Sequence, residues 1–378
     1  MPIILFLLVL AVLVLVHEFG HFIVAKMSGI RVDEFGLGFP PKLYGKKFGG
    51  TEYTINAIPF GGYVKIFGED PIGDEDALRA LAVSNGTSSQ DIRISSFQYK
   101  SKWIQAAVLV AGVTFNIIFA WLLISLGFMI GLPSYEGQSS FGKTADFHLV
   151  VTEVLANSPA QKAGLKSGDE IVSVFAGGDI LTSSSLSPED VQHLIVESNT
   201  KNIDFTIVRG KNSPQTISIE PNETVVEGRR AIGIAMDSIG TLKLPVYLGL
   251  IEGARTTGLL IKGVTVGLAD FFWKIFTFKS DFSQVSGPIG IASAVGDAQS
   301  LGFVYLLSLV ALISINLAVI NLLPFPALDG GRLLFVVIEA IIRQPISPTF
   351  VRRANVTGFS LLILLMLIVT AHDIFNLF

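Results

Sequence analysis

Val12-Leu13-Val14-Leu15-Val16-His17-Glu18-Phe19-Gly20-His21-Phe22-Ile23-Val24-Ala25 sets three polar side chains inside an apolar run that begins at Ile3. A membrane-crossing helix needs about 20 residues, and this run reaches that length only if His17, Glu18 and His21 are counted within it. A charged group at mid-membrane costs at least about 2.5–3.5 kcal/mol and is usually kept for a function. A signal peptide is the alternative, but nothing basic precedes the apolar stretch and no small-residue cleavage site follows it, so the expectation is a retained helix. On a helix His17 and His21 share one face, about 6 Å apart along the axis. Two imidazoles so placed can hold one zinc ion, with Glu18 beside them as general base. A chance match is the competing reading, and the apolar setting argues against it. Gly20 leaves the helix surface open to another backbone.

The rest of the composition agrees with a membrane setting. Half the residues are hydrophobic and only 15% are charged, against about a quarter in soluble domains; mean hydropathy is +0.60. The apolar residues gather in four runs, Ile3–Ala25, Ile104–Leu132, Leu301–Leu323 and Val356–Ala371. The expected fold class is therefore a polytopic α-helical membrane protein with four transmembrane helices, and the lipid bilayer is its first partner. A net charge of −4 leaves no basic footprint for nucleic acid. With no cysteine, disulfides and thiolate ligands are excluded, so any metal is held by nitrogen and oxygen.

Four segments follow. Residues 1–132 form a first membrane half: two spans with a glycine-rich stretch between them, Gly29 to Gly68. There Thr51–Ile55 and Tyr63–Ile66 read as short strands joined by Pro59-Phe60-Gly61-Gly62, a membrane-associated β-hairpin. Asp70–Ser101 reads as a polar surface loop with one short helix, or a plain connector. Residues 147–240 are an inserted α+β domain with alternating strands at His148–Val154, Glu170–Phe175, Ile203–Val208, Thr216–Ile219 and Ala231–Met236, and helical patterns at Pro159–Ala163 and Pro188–Glu197. Within it, Ser158-Pro-Ala-Gln-Lys-Ala-Gly-Leu-Lys-Ser-Gly-Asp-Glu-Ile-Val172 resembles the helix, glycine turn and strand of bacterial PDZ domains, in a single copy. Residues 245–280 carry Glu252, Arg255, Lys262, Asp270 and Lys274 among apolar residues, which fits an amphipathic helix on the membrane surface; a fifth span is the alternative. Residues 281–378 form a second membrane half of two spans. Lys26, Arg31, Lys42, Lys46, Lys47, Lys100 and Lys102 flank the first two spans, and Arg332, Arg343, Arg352 and Arg353 lie between the last two. Both loops are expected to face the cytoplasm, which places the PDZ-like block outside.

Catalytic zinc usually takes three protein ligands and leaves one position for water. His148 and His193 fall in the inserted domain and His372 at the end of the fourth run, so none is well placed. Asp329 follows an apolar span in Asn321-Leu-Leu-Pro-Phe-Pro-Ala-Leu-Asp329-Gly-Gly-Arg332. Pro324 and Pro326 break that helix, and irregular backbone at membrane depth is tolerated where it lines a cavity. Asp329 reads as the third ligand, as an N-cap for the next helix, or as both.

These motifs carry a resemblance over nearly the whole chain. The sequence resembles the site-2 protease family of intramembrane metalloproteases, and within it the bacterial regulator-of-sigma-E protease branch. The resemblance rests on His17–His21, on Asn321–Gly331, on Ser286-Gly-Pro-Ile-Gly-Ile-Ala292 and on Phe60-Gly-Gly-Tyr-Val-Lys65. It implies Zn2+ bound by His17, His21 and Asp329, water activated by Glu18, and Asn321 helping to hold the substrate backbone. Asn116 sits where the family has a glycine-proline-x-x-asparagine pattern, and the resemblance implies a second substrate contact there; here the stretch is Ala111-Gly-Val-Thr-Phe-Asn116, without the proline. The implied function is zinc-dependent hydrolysis of peptide bonds in or near the spans of single-span membrane proteins, such as anti-sigma factors or signal-peptide remnants. The implied setting is the bacterial cytoplasmic (inner) membrane, with the zinc site toward the cytoplasm. Ile55 and Val64 offer a strand edge to which an unwound substrate can add; a purely structural hairpin is the equal alternative. The PDZ-like domain is expected to filter substrates, or to act as a passive spacer. A catalytically dead scaffold predicts a degraded zinc constellation, and a transporter predicts inverted repeats; neither signature is in the sequence.

Overall fold

Leucine, valine and isoleucine run almost unbroken from Ile3 to Val16, and they build α1 (Pro2–Met27). At 1.5 Å per residue its length is about 39 Å, enough to cross a hydrocarbon core of about 30 Å. The computed structural model describes residues 2–69, 86, 88–135, 141–142, 145–182, 186–198, 200–210, 213–226, 229–277 and 287–375. Most of the expected connector from Asp70, together with Ser286 of the Ser286–Ala292 motif, lies outside the described residues.

After α1 come β1 (Val32–Phe48), β2 (Thr51–Ile66), α2 (Ser89–Ser95), α3 (Lys102–Ile130), β3 (Leu132–Tyr135), β4 (Ala145–Val154), α4 (Pro159–Lys162), β5 (Glu170–Ala176) and β6 (Asp179–Thr182). Next are α5 (Pro188–Glu197), β7 (Ile203–Val208), β8 (Gln215–Ile219), β9 (Asn222–Val226), β10 (Arg229–Ala231), β11 (Ile234–Leu242) and α6 (Val246–Phe276). The chain closes with α7 (Pro288–Leu301), α8 (Phe303–Leu322), α9 (Asp329–Ile342) and α10 (Pro348–Phe375). Among the described residues four helices are long and apolar enough to cross a membrane: Ile3–Met27, Lys102–Ile130, Phe303–Leu322 and Pro348–Ala371. The 31-residue α6 is not one of them, because its five charged residues lower its hydropathy.

The chain divides into two compact units. The first comprises Met1–Leu122, Thr256–Gly296 and Val310–Phe378. Its β1 and β2 are continuous strands joined at Gly49-Gly50, both with positive φ (57° and 80°) that glycine adopts without strain. They fold on themselves, so Val32–Leu37 pairs on one side with Gly62–Ile66 and on the other with Glu52–Ile55, and Ile55 pairs again with Tyr44. The two short strands expected around Ile55 and Val64 are therefore not partners, since the start of β1 lies between them. Ile55 is flanked on both sides, whereas Gly62–Ile66 is an edge. Inside the sheet Tyr63 donates to Oε1 of Glu34 at 2.6 Å; burial and that carboxylate push the phenol above its ordinary pKa, which keeps it a donor.

The sheet is tied to the helices through apolar packing and backbone bonds. Ala25, Ile30, Val32, Ile66, Phe97, Val108, Leu109 and Val336 form one buried cluster. The amide of Arg31 donates to Ser95 O, that of Phe67 to Arg31 O, and that of Phe97 to Phe67 O, each at 2.9 Å. Arg332 of α9 pairs with Glu69, just beyond β2, and Lys102 of α3 pairs with Glu339 at 2.6 Å. The first tie holds the start of α9 against the end of the hairpin, and the second holds its last turns against the start of α3. At the far end of α10, Asp373 accepts from the amides of Gly287 (3.1 Å) and Gly290 (2.9 Å), satisfying donors that the first turn of α7 leaves unpaired. Along α10, Val356, Phe359, Leu361, Leu364, Leu367 and Ile368 are all exposed. Apolar side chains in a row of this length belong against lipid.

The second unit comprises Leu123–Arg255 and Asp297–Leu309. Its sheet runs β3-β11-β4-β5-β7-β8, with β6 paired to β5, and β9 and β10 form a separate pair. Alternate residues of β7 (Ile203, Phe205 and Ile207) point into a core with Leu149, Val151, Ile171, Val174, Val191, Ile195 and Ile219. Ser158 and Ser187 cap α4 and α5, each followed by proline at the first helical position. The fully buried Asp169 accepts from Nε and Nη2 of Arg209 at 2.6 and 2.7 Å and from the amide of Lys166 at 2.8 Å. In α6, Gly249 and Gly253 lie against Ser125 and Met129 of α3.

Candidate metal centre

The histidine face of α1 points at α3, and glycine sets how closely the two helices approach. A Cβ on Gly20 would lie 2.9 Å from Ala111 C and 3.1 Å from Gly112 Cα. A Cβ on Gly112 would lie 2.8 Å from Cε1 of both His17 and His21. The backbone of α3 thus forms the floor under both imidazoles, which are buried at 7% and 6% exposure.

The third member arrives from 312 residues away. Leu323–Leu328 turns back after α8, and Asp329 is the first residue of α9. The N-cap is Leu328, without a side-chain hydrogen bond, so Asp329 does not serve as the cap. Its Oδ2 lies 3.0 Å from His17 Nε2 and 3.2 Å from His21 Nε2, and the two Nε2 atoms are 3.3 Å apart. His17, His21 and Asp329 are the one such cluster among the described residues. Tetrahedral zinc holds imidazole nitrogen and carboxylate oxygen at about 2.0–2.2 Å, which puts neighbouring ligand atoms about 3.3–3.5 Å apart. Three donors of the right types at 3.0–3.3 Å therefore fit three corners of a zinc polyhedron, leaving the fourth for water or substrate.

Around the triad, Nδ1 of His21 donates to Val108 O at 2.7 Å, which leaves its Nε2 lone pair aimed at the cluster. Glu18 accepts from the amide of Val64 at 3.0 Å, so the outward N–H of the sheet edge meets the carboxylate between the two histidines. Asn321 of α8 reaches Nε2 of His17 with Nδ2 at 3.5 Å, on the side of the ring that faces the cluster. Asn116 of α3 lies on the opposite side, with Nδ2 3.3 Å from Nδ1 of His17. Ile55 lies within the sheet, half exposed and paired on both flanks. His148 bonds Glu170 at 2.6 Å in the second unit, and His193 lies beside Glu197 at 3.6 Å.

Sequence reasoning missed Val108, Gly112 and Ser314. Val108, Gly112 and Asn116 recur every four residues and so form one stripe of α3, a legible pattern beside a histidine helix. A backbone carbonyl such as that of Val108 leaves no mark in the residue type.

Comparison with known proteins now bears on this geometry. The model of peptidase family M50 matches residues 5–365. A Clostridium perfringens protein whose name provisionally places it among zinc metalloproteases is 35% identical over 377 residues, covering 99% of this chain and 98% of that protein. Zinc metalloprotease RasP of Bacillus licheniformis and regulator of sigma-W protease RasP of Bacillus subtilis are each 30% identical over 437 residues, covering 99% of this chain and 98% of each relative.

Proposed function

Since this chain belongs to peptidase family M50, the site-2 protease family of zinc metalloproteases, we propose that it cuts single-span membrane proteins at peptide bonds within or next to the bilayer. The observation that carries this reading is the position of the triad: two imidazoles on a helix apolar enough to span and a carboxylate oxygen from the start of α9 converge within 3.3 Å of one another. The Bacillus subtilis relative is named for regulation of sigma-W, which makes anti-sigma factors the first substrates to try and signal-peptide remnants the second. The proposed setting is the bacterial cytoplasmic membrane, with the hairpin and the metal centre toward the cytoplasm and residues 147–240 outside, on the basic residues that flank the spans.

The residues divide the work as follows. His17, His21 and Asp329 would hold the zinc, which when bound supplies Lewis acidity toward the scissile carbonyl and acidifies water. Glu18 takes one proton from the attacking water as the new C–O bond forms, then delivers it to the leaving amine nitrogen as the C–N bond breaks. The Val64 amide keeps the Glu18 carboxylate facing the cluster. Asn321, on the Nε2 side of His17, is placed to hydrogen-bond the substrate backbone. A helical substrate shields its own peptide bonds, so it must be locally unwound. Of the two sheet residues expected to receive it, Val64 is on an edge and Ile55 is not; strand addition is therefore assigned to the Gly62–Ile66 edge outside the Val64 N–H, which Glu18 already holds. The single Ser158–Val172 motif supports reading 147–240 as a PDZ-type filter that reads or excludes the outer part of a substrate.

Two variants test the proposal. Glu18→Gln is expected to keep zinc and lose cleavage of a single-span substrate by at least about 100-fold, while His17→Ala loses the metal as well. A Glu18→Gln protein that cleaved normally would remove the proposed chemistry, and membrane proteomics of the inactive strain would name the accumulating fragments.

A further inference from the structure

We infer that Asn116 is a positioning residue for His17: it accepts a hydrogen bond from Nδ1–H and so fixes the tautomer whose Nε2 lone pair faces the metal position. The inference rests on the zinc reading above. Both histidines converge through Nε2, and a neutral imidazole that gives Nε2 to a metal carries its hydrogen on Nδ1. That hydrogen needs an acceptor in a buried site. For His21 the acceptor is Val108 O, at 2.7 Å. For His17 the neighbouring group is the fully buried side chain of Asn116, at 3.3 Å from Nδ1.

As it lies, the Asn116 amide turns Nδ2 toward the ring, and its Oδ1 is among the buried atoms without a hydrogen-bond partner. Nδ2 facing Nδ1 would force the ring hydrogen onto Nε2, where it would occupy the lone pair that zinc requires. A half-turn of the amide exchanges the two atoms at nearly constant shape. Oδ1 then faces Nδ1–H, and the orphaned acceptor gains its partner. The backbone is fixed for this task, because the buried Ser314 of α8 donates its hydroxyl to Asn116 O at 2.9 Å. Since Nδ1 lies on the far side of the ring from Nε2, Asn116 is remote from the open corner of the cluster. That placement assigns it to the ligand in place of the substrate contact expected from the sequence.

The test is made on the full chain in detergent, with zinc stoichiometry and affinity read by competition with a chromogenic chelator. Wild type, Asn116→Leu and Asn116→Asp are compared. Leucine removes the acceptor and is expected to weaken zinc about 10- to 100-fold; aspartate, which when ionised only accepts, is expected to stay within about threefold of wild type. Wild-type affinity in Asn116→Leu, or equal loss in both variants, overturns the inference. If either variant fails to fold, the zinc-loaded wild type labelled with 15N-histidine decides. A protonated Nδ1 on His17 is expected, and an unprotonated Nδ1 overturns the assignment. A wild-type chain that binds no zinc brings down the metalloprotease reading together with the inference, whereas loss of the Asn116 effect alone leaves that reading intact.

Discussion

Replacing Gly112 by alanine adds one methyl group at the point where α3 supports both imidazoles. That carbon would lie 2.8 Å from Cε1 of His17 and 2.8 Å from Cε1 of His21, whereas nonbonded carbons rest at about 3.5–4.0 Å. Each ring, or the helix beneath it, must retreat by about 0.7 Å or more, while metal–ligand distances tolerate about 0.2 Å. Overpacking of this kind costs about 1–3 kcal/mol. In the metal-free chain the rings can swing aside, so the strain returns when two ligands are drawn back together. At 1.4 kcal/mol per factor of ten that corresponds to about 5- to 150-fold weaker zinc binding. Chelator competition on purified Gly112→Ala reads the loss directly, and cleavage of a single-span substrate at limiting zinc should fall in parallel. Gly258→Ala is the control, since a Cβ there meets nothing within 4 Å. Wild-type zinc affinity in Gly112→Ala would refute the idea that backbone proximity sets the ligand geometry.

Two further predictions concern other parts of the molecule. Val64→Pro removes the N–H that Glu18 accepts, and an outward N–H at a sheet edge is where proline is tolerated; kcat should fall about tenfold with zinc content unchanged, and an unaltered kcat would show that the bond does not orient the carboxylate. Asp169→Ala leaves Arg209 without the carboxylate it grips through two nitrogens; breaking a buried pair costs about 3–5 kcal/mol, so the second unit should melt earlier in differential scanning calorimetry while zinc affinity holds, and an unchanged melting profile would count against the pair.

The parts legible in the sequence were those written in residue type at short range. His17, Glu18 and His21 announced themselves because ionisable groups in an apolar run have few other reasons to be there. Asp329 stood out through Pro324 and Pro326, which stop α8 and let the chain turn back toward the histidines. Less legible was anything decided by pairing across distance. The glycine-rich β1 and β2 have weak register signals, so nothing local revealed that Val32–Leu37 slots between Ile55 and Val64. Helix ends were displaced too: α10 begins at Pro348, eight residues before the apolar run at Val356, because Ser347-Pro348 starts the helix while Arg352 and Arg353 still lie in its polar first turns. Asn116 was visible as a polar residue in oil, but which side of which imidazole it meets is set by the packing of α1 on α3.

The 312-residue separation between His17 and Asp329 bears on how such an enzyme is made safely. A ribosome must synthesise most of the chain before the carboxylate exists, so a partly inserted nascent protein carries the histidines and the base but lacks the third ligand. The proposed metal centre therefore cannot be completed until α9 has been made, after α1, α3 and α8.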